Sequence, residues 1–337
     1  MARSAEVVMA YYYQTIFPTL GGPLKAVLSE RALHALVPLE SWPQESRRWS
    51  SYTMSPRQPA ARRVVIEQIV QAPPLPPKRK DWPLGIAAMV DQISAVIAGF
   101  GLVPLEPLSL STDVVTTTLR REEEAKLRQL LKLPLGYPAC GELANLTASD
   151  LGPMLTPAEL IKLYASMPPL IYDMLLPPFY YQVLETLHLL KLQQLLSYGD
   201  LGLLAVELFG TAASQAQQQA PKPEAKATPQ TTPQTASHTA STPPARPLLS
   251  PPVSMLKLSM IKQRLAAGQL PLLAQEQQSA RYARAVGTAL HHNPIILMVP
   301  CHAVVPVSHP DGGNFSWNPT TKKALITHCG LKPLCRV

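Results

Sequence analysis

A long polar segment divides the chain and limits what it can fold into. Residues 211–252 are mostly Ala, Gln, Thr, Ser and Pro, and they contain almost no large apolar side chain. Such a composition cannot bury enough apolar surface to offset the conformational entropy that ordering would cost. We therefore predict that residues 211–252 are a disordered insertion and that the core is built from the residues on either side.

The bulk composition narrows the class of protein. A chain of 337 residues is long enough for two domains, and its 37 prolines favour extended connectors such as residues 72–77. No apolar run is long enough to span a membrane, and the start lacks the pattern of a secretory signal, so we expect no membrane partner. The four cysteines lack metal-type spacing, which predicts free thiols in a reducing compartment and no bound metal. A metal shared by His328, Cys329 and Cys335 is the weaker alternative.

Charge points to a polyanionic partner. The net charge is +8, and the isoelectric point is about 9.3. Residues 253–337 carry nine lysines and arginines against two acidic residues, so most of the excess lies in this part of the chain. Such a concentration suits nucleic acid, although a solvated basic face would have the same composition.

Local patterns predict a hairpin near the start and several helices. Two runs rich in aromatic and aliphatic residues, 11–17 and 24–28, flank the turn signal Thr19-Leu-Gly-Gly-Pro23. Ser197 is a good N-cap residue, and Gly210 can end the helix that follows it. Apolar periodicity predicts the remaining helices at residues 116–133, 156–176, 179–190, 253–270 and 279–292.

A cysteine next to a histidine is the strongest chemical signal. The apolar run 293–300 ends in Pro300-Cys301-His302, where a pocket could fix the thiol and an imidazole could take its proton. An ordinary thiol has a pKa near 8.5, so only about 3% is thiolate at pH 7 without such help. The alternative is an inert buried cysteine, which is common in protein cores.

The neighbours of Cys301 resemble the O6-alkylguanine-DNA alkyltransferases, which repair DNA by moving an alkyl group from guanine O6 onto their own cysteine. The family string RAVG…NP…PCHRV is similar to Arg284-Ala-Val-Gly287, Asn293-Pro294 and Pro300-Cys301-His302-Ala303-Val304 at the same spacing. One further block, Ser197-Tyr198-Gly199, lies upstream, and another, Gly313-Asn314-Phe315-Ser316-Trp317, lies downstream. Together with the first residues, the resemblance covers roughly half of the chain.

The resemblance implies a fold. It implies an α/β, ribonuclease-H-like domain over residues 1–115 and a mostly α, helix-turn-helix (winged-helix-like) domain over 177–337. Residues 116–176 would be a connecting or inserted helical segment. The insertion at 211–278 would lie in the turn between the two DNA-binding helices, and loop-closure entropy tolerates such an insertion because it grows only logarithmically with length.

The resemblance also implies catalytic roles. Cys301 would attack the alkyl carbon, and His302 would act as its base, through a water. Tyr198 or Lys322 would supply or stabilise the proton that the leaving guanine gains. The thioether formed is stable, so each molecule would react once and need no cofactor.

Contacts with DNA are implied in the same way. The target base must leave the stack, Arg284 would fill the gap, and Tyr198 would crowd the phosphate and promote rotation. Asn293 would brace the active-site turn. The small residues Gly287, Thr288 and Ala289 would let the recognition helix approach DNA closely. Backbone groups of Cys301, Val304 and Ser316 would read the edge of the guanine. Phe315 and Leu290 would form apolar walls around the base.

The expected partner is double-stranded DNA that contains O6-alkylguanine, with O4-alkylthymine as a second candidate. We expect a monomer. We also expect a nuclear location, since the short basic cluster at residues 78–80 could act as a nuclear address; a solvated loop is the alternative reading of this cluster.

Two departures from the family pattern bear on activity. Ala303 replaces the arginine of the family string, and an ungapped match puts Cys329 where the family has the glutamate that orients the histidine. An imidazole without its carboxylate is a weaker base, so we expect transfer to be slowed by about 10²-fold. A non-catalytic alkylguanine-DNA-binding protein is therefore the alternative, and a cysteine hydrolase is a third, for which no constellation is visible.

Overall fold

The structure is a computed structural model that describes residues 11–17, 19–53, 60–102, 146–210, 253–268, 276–308 and 319–333. Several predictions fall outside these ranges. They are the disordered insertion at 211–252, the helix at 116–133, and the roles of Phe315 and Ser316. The arrangement of the described residues is mixed, with helices around two small sheets.

The predicted hairpin is confirmed and belongs to a three-stranded antiparallel sheet. Strands β1 (Tyr12–Phe17), β2 (Leu24–Ser29) and β3 (Leu33–Pro38) lie in that order. Gly22 takes a φ of +104° in the first turn, where the hydroxyl of Thr19 donates to its carbonyl over 2.6 Å. Every residue of β2 is buried, so both faces of the sheet are covered.

Three helices follow this sheet: α1 (Trp42–Thr53), α2 (Ala60–Val70) and α3 (Leu84–Gly99). The first two pack on each other, α2 also packs on β1, and α3 packs on β2. Lys25 of β2 is buried with its ammonium 4.0 Å from the ring centre of Trp42, and burial lowers the pKa of Lys25 to about 7. An α/β unit at this end of the chain is present, while its ribonuclease-H-like topology stays a prediction.

The helix predicted at 156–176 is wrong beyond residue 165. Helix α4 (Pro157–Ala165) begins with a capping box between Thr156 and Glu159. Pro168 and Pro169 then prevent its continuation, because proline lacks the N–H donor and restricts the residue before it. The chain instead runs along β3, where the amide of Leu33 donates to the carbonyl of Pro169 over 2.9 Å.

The helices around the sequence motif form as predicted. Helix α5 (Pro178–Leu190) leads to strand β4 (Gln194–Ser197) and helix α6 (Tyr198–Phe209). The Ser197 hydroxyl accepts from the amide of Asp200 over 3.1 Å, which satisfies one free donor of the first turn. Gly210 ends α6 with a φ of +85°.

Two more helices complete this part. They are α7 (Met255–Ala266) and α8 (Glu276–His291), which confirm the helices predicted at 253–270 and 279–292. Helix α8 packs against α6 and α5. Gly202 allows the close approach to α6, since a Cβ atom there would lie 2.4 Å from the Cβ of Tyr282.

A second, parallel sheet supports the segment that holds Cys301. Strand β5 (Val304–Val305) and strand β6 (Lys332–Pro333) pair with either edge of β4. A short 3₁₀ helix, Cys301–Ala303, precedes β5, and helix α9 (Pro319–His328) packs against it. No helix among the described residues is long and apolar enough to cross a membrane.

The contact at Gly202 generates a stability prediction. Gly202→Ala should lower the free energy of unfolding by about 1–2 kcal/mol, because the overpacking at Tyr282 exceeds the gain in helix propensity. Gly287→Ala is the matched control, since a Cβ there would meet only Tyr198 at 4.0 Å. Urea denaturation of both variants measures the effect, and equal stability of the two would contradict the close packing of α6 on α8.

Candidate functional site

One cavity of about 410 Å³ brings the sequence motifs together. Helix α8 supplies one wall, Tyr198 at the start of α6 faces it, and Cys301 and Lys322 line it as well. The volume lies within the range of small-molecule and cofactor sites. The full lining comprises Tyr198, Ala283, Arg284, Gly287, Thr288, Leu290, His291, Cys301, Pro306 and Lys322.

Asn293 holds the turn that carries Cys301. Its side-chain amide donates to the carbonyl of Val299 and to Sγ of Cys301, both over 3.1 Å. Its carbonyl oxygen accepts from the amide of Ile295 over 3.0 Å. Leu297 takes a left-handed φ of +68° in the same turn, a conformation that non-glycine residues adopt only where neighbouring bonds hold it.

Opposing effects set the ionisation of Cys301. Burial is the largest effect and raises the pKa of the thiol, because the thiolate loses its hydration. The hydrogen bond from Asn293 and the positive charge of Lys322 act in the other direction and lower it. The thiolate is therefore stabilised by two specific neighbours against an apolar surrounding.

Lys322 is a buried cation beside the thiol. Its ammonium donates to the carbonyl of Val304 over 2.6 Å and lies 5.8 Å from the ring centre of Tyr198. Burial lowers the pKa of Lys322 to about 8, while the nearby Cys301 acts to raise it. The pKa of Tyr198 is raised by burial and then by the charge of Cys301. Lys322 is thus the more acidic of the two candidate proton donors.

His302 does not line the cavity. It is fully buried, and its ring meets the ring of Phe100 edge to face at 5.8 Å. Burial, and then the charge of Lys322, lower the pKa of His302 to about 3. The imidazole is therefore neutral near pH 7 and is a weak base.

Cys329 faces His302, as the ungapped alignment predicts. Its Sγ lies 3.9 Å from Nε2 of His302. Burial raises the pKa of Cys329 to about 12, so its thiol is neutral, whereas the glutamate of the family pattern would be an anion. The imidazole therefore lacks the anionic partner that would stabilise its protonated form.

The predicted DNA-contacting residues of α8 divide between two faces. Arg284 is exposed at the cavity, and Gly287 and Thr288 line the same wall. Ala289 does not join them. It is fully buried on the core side of the helix, so its predicted approach to DNA is wrong as a side-chain contact. The helical period explains the difference, because residue 289 lies about 140° around the helix from residue 284.

Both backbone groups of Val304 have a partner inside the protein. Val304 is fully buried, its amide donates to the carbonyl of Cys301, and its carbonyl accepts from Lys322. The carbonyl keeps a second lone pair, so its predicted reading of a base edge stays a prediction. Leu290 lines the cavity as the predicted apolar wall.

Sequence reasoning missed His291 among the cavity residues. It lies seven positions after Arg284 on the same face of α8, so the helical period alone could have identified it. Pro306 was also missed, because only the fold brings the strand after Cys301 to the cavity.

A comparison with protein families agrees with the motifs. Residues 271–330 match the family model described as the 6-O-methylguanine DNA methyltransferase, DNA binding domain. The matched segment includes Arg284, Asn293, Cys301, His302 and Lys322. The resemblance to the O6-alkylguanine-DNA alkyltransferases is therefore confirmed over this segment, which supports a DNA-binding role in DNA repair. No curated protein and no solved structure matches the chain.

The electrostatics of the cavity predict how Cys301 responds to loss of the cation. Lys322→Met should raise the pKa of Cys301 and slow its alkylation by iodoacetamide about tenfold near neutral pH, because the thiolate loses a nearby positive charge. Peptide mass spectrometry across pH 6–10 measures the rate at Cys301. Lys323→Met, an exposed neighbour on α9, is the control and should react like the parent. An unchanged pH profile in Lys322→Met would contradict the assigned coupling.

Proposed function

We propose that this protein transfers an alkyl group from O6-alkylguanine in double-stranded DNA to Sγ of Cys301. The observation that carries the proposal is that Cys301, Arg284 and Tyr198 line one cavity of about 410 Å³. A cysteine nucleophile, an exposed arginine on a candidate recognition helix and space for a base are the features that this reaction needs. O4-alkylthymine is a second candidate substrate of the same cavity.

DNA binding would place α8 against a groove, with α6 as the other helix of a helix-turn-helix. Guanine O6 lies inside the duplex, so the nucleotide has to rotate out of the stack before the thiol can reach it. Arg284 would then occupy the gap, and Tyr198 would crowd the phosphate. The basic charge of residues 253–337 would supply affinity through phosphate contacts that weaken as salt rises.

The transfer would be a direct displacement at the alkyl carbon. The thiolate sulfur forms the new C–S bond as the C–O6 bond breaks, and the electron pair of that bond leaves with guanine. The departing base then gains a proton. Lys322, whose pKa of about 8 keeps it largely protonated near pH 7, is the preferred donor, with Tyr198 as the second. The thioether stays on the protein, so one chain would react once and act as a monomer.

Generation of the thiolate is the weak step. A histidine with a pKa of about 3 accepts a proton reluctantly, and its neighbour Cys329 cannot stabilise the imidazolium as a carboxylate would. Activation would therefore depend on Asn293 and Lys322. This arrangement also favours the second candidate function, in which the protein binds alkylguanine DNA and marks the damage without removing it. A nuclear location remains part of the proposal.

Methylation of Cys301 tests the proposed reaction. Incubation with duplex DNA that contains one O6-methylguanine should add one methyl group to the Cys301 peptide and restore guanine, whereas Cys301→Ser should bind the duplex without transfer. Selective binding of the damaged duplex without methylation would replace transfer with damage recognition.

Replacement of Arg284 tests its role in base flipping. Arg284→Ala should slow transfer at least about tenfold with a smaller loss of nonspecific affinity, because base flipping depends on the inserted side chain.

Replacement of Cys329 tests the reason for slow chemistry. Cys329→Glu should speed single-turnover transfer by about 10–10²-fold, because a carboxylate beside Nε2 would stabilise the protonated form of His302. Cys329→Gln is the matched control, since it has similar size without charge and should give no such gain. Rates measured across pH 6–9 on folded variants decide the matter. If Glu and Gln behave alike, His302 does not act as the base.

A further inference from the structure

An arginine of helix α1 forms hydrogen bonds to His292, the residue that follows helix α8. The guanidinium of Arg48 donates to Nδ1 of His292 and, from its other terminal nitrogen, to the backbone carbonyl of His292 over 3.4 Å. It also pairs with Glu45, one turn earlier on α1, over 3.0 Å. Residues 48 and 292 are far apart in sequence, so this contact joins the N-terminal helices to the DNA-contacting helix.

The chemistry of the contact fixes the state of His292. A guanidinium has only donors, so Nδ1 of His292 has to accept and its proton resides on Nε2. On its other side the imidazole stacks on Tyr180 of α5, with ring centres 5.9 Å apart and planes 25° apart. His292 is therefore held between an arginine and a tyrosine, and its orientation is defined.

Strand β3 forms backbone hydrogen bonds to the residues that follow Asn293. The amide of Leu36 donates to the carbonyl of Pro294 over 2.7 Å, and the amide of Ile296 donates to the carbonyl of Leu36 over 2.9 Å. Residues 292, 294 and 296 are thus tied to the N-terminal part of the chain. Asn293 lies between these ties.

The position of Asn293 matters because its amide donates directly to Sγ of Cys301. That bond favours the thiolate, and hydrogen bonds weaken steeply with misalignment. We propose that Arg48 is a positioning residue, which acts through His292 to hold the amide of Asn293 on the sulfur of Cys301. The proposal rests on the proposed function only in that a reactive Cys301 gives this alignment its purpose.

Arginine suits this role better than lysine. Its planar fork can reach the ring and the carbonyl of one residue while Glu45 orients it, whereas an ammonium is a single point of charge. Arg48 is also largely buried, with 16% of its side chain exposed, so its hydrogen bonds meet little competition from water. Its neighbour Arg47 is exposed and donates within α1, to the carbonyl of Pro43 over 2.9 Å.

The test measures the reactivity of Cys301 without DNA. Arg48→Met, which keeps an apolar stem and removes the donors, should raise the apparent pKa of Cys301 and slow its iodoacetamide alkylation about tenfold near neutral pH. Arg48→Lys should recover part of the rate, and Arg47→Met should match the parent. Peptide mass spectrometry over pH 6–10 separates the pH-independent limiting rate, which reports access, from the apparent pKa, which reports the environment of the sulfur.

A double-mutant cycle with Asn293→Ala shows whether Arg48 acts through Asn293. If it does, Arg48→Met should have no further effect once Asn293 is gone, because interacting residues are not additive. Fully multiplicative effects, or a parent-like apparent pKa in folded Arg48→Met, would overturn the proposal. Should Arg48→Met fail to fold, the same cycle with Arg48→Lys gives the answer. A parent that reacts with iodoacetamide but not with O6-methylguanine DNA would refute alkyl transfer and leave this inference standing.

Discussion

The side chain of Asn293 is the interaction on which the site depends. It bonds to the carbonyl of Val299, to the amide of Ile295 and to Sγ of Cys301, so it defines the turn and touches the nucleophile at once. A left-handed Leu297 within the turn needs such support, because its backbone conformation is unfavourable by itself. The strands and helices around this turn fix the residues before and after it. The surrounding fold therefore holds the side-chain amide of Asn293 against the thiol of Cys301.

Burial both shapes this site and works against its chemistry. The surroundings that hold Cys301 raise its pKa, lower that of His302 to about 3 and raise that of Cys329 to about 12. Each shift favours the neutral form of the side chain, so burial opposes a charge on Cys301, His302 and Cys329 alike. Lys322 is the exception, since it stays cationic near pH 7 despite burial. The thiolate of Cys301 therefore depends on the charge of Lys322 and on the hydrogen bond from Asn293, which both lower the pKa of the thiol.

Local signals predicted the elements that local interactions determine. The Ser197 cap, the glycine end of α6 and the hairpin at 12–29 depend on residues within a few positions, so they could be read from the sequence. The pairing of Cys329 with His302 followed from the family spacing. The helix predicted at 156–176 was wrong because apolar periodicity was given more weight than Pro168 and Pro169. Arg48 could not be found, because an exposed-looking arginine on an amphipathic helix gives no sign of a partner 244 positions away.

The insertion between α6 and α8 has to leave the DNA-facing side open if these helices bind DNA as a pair. Its described part meets this condition. Helix α7 buries Leu258, Ile261 and Leu265 and pairs Arg264 with Glu207 on α6. Near its C-terminal end, the side chain of Gln194 donates to the carbonyl of Leu265 over 3.2 Å. None of the residues of α7 lines the cavity, which is formed by α6, α8 and the segments around Cys301 and Lys322. The inserted helix thus adds apolar contacts to α5 and α6. It does not cover the wall that carries Arg284 and Thr288. The described part of the longer turn therefore leaves the cavity accessible to a duplex.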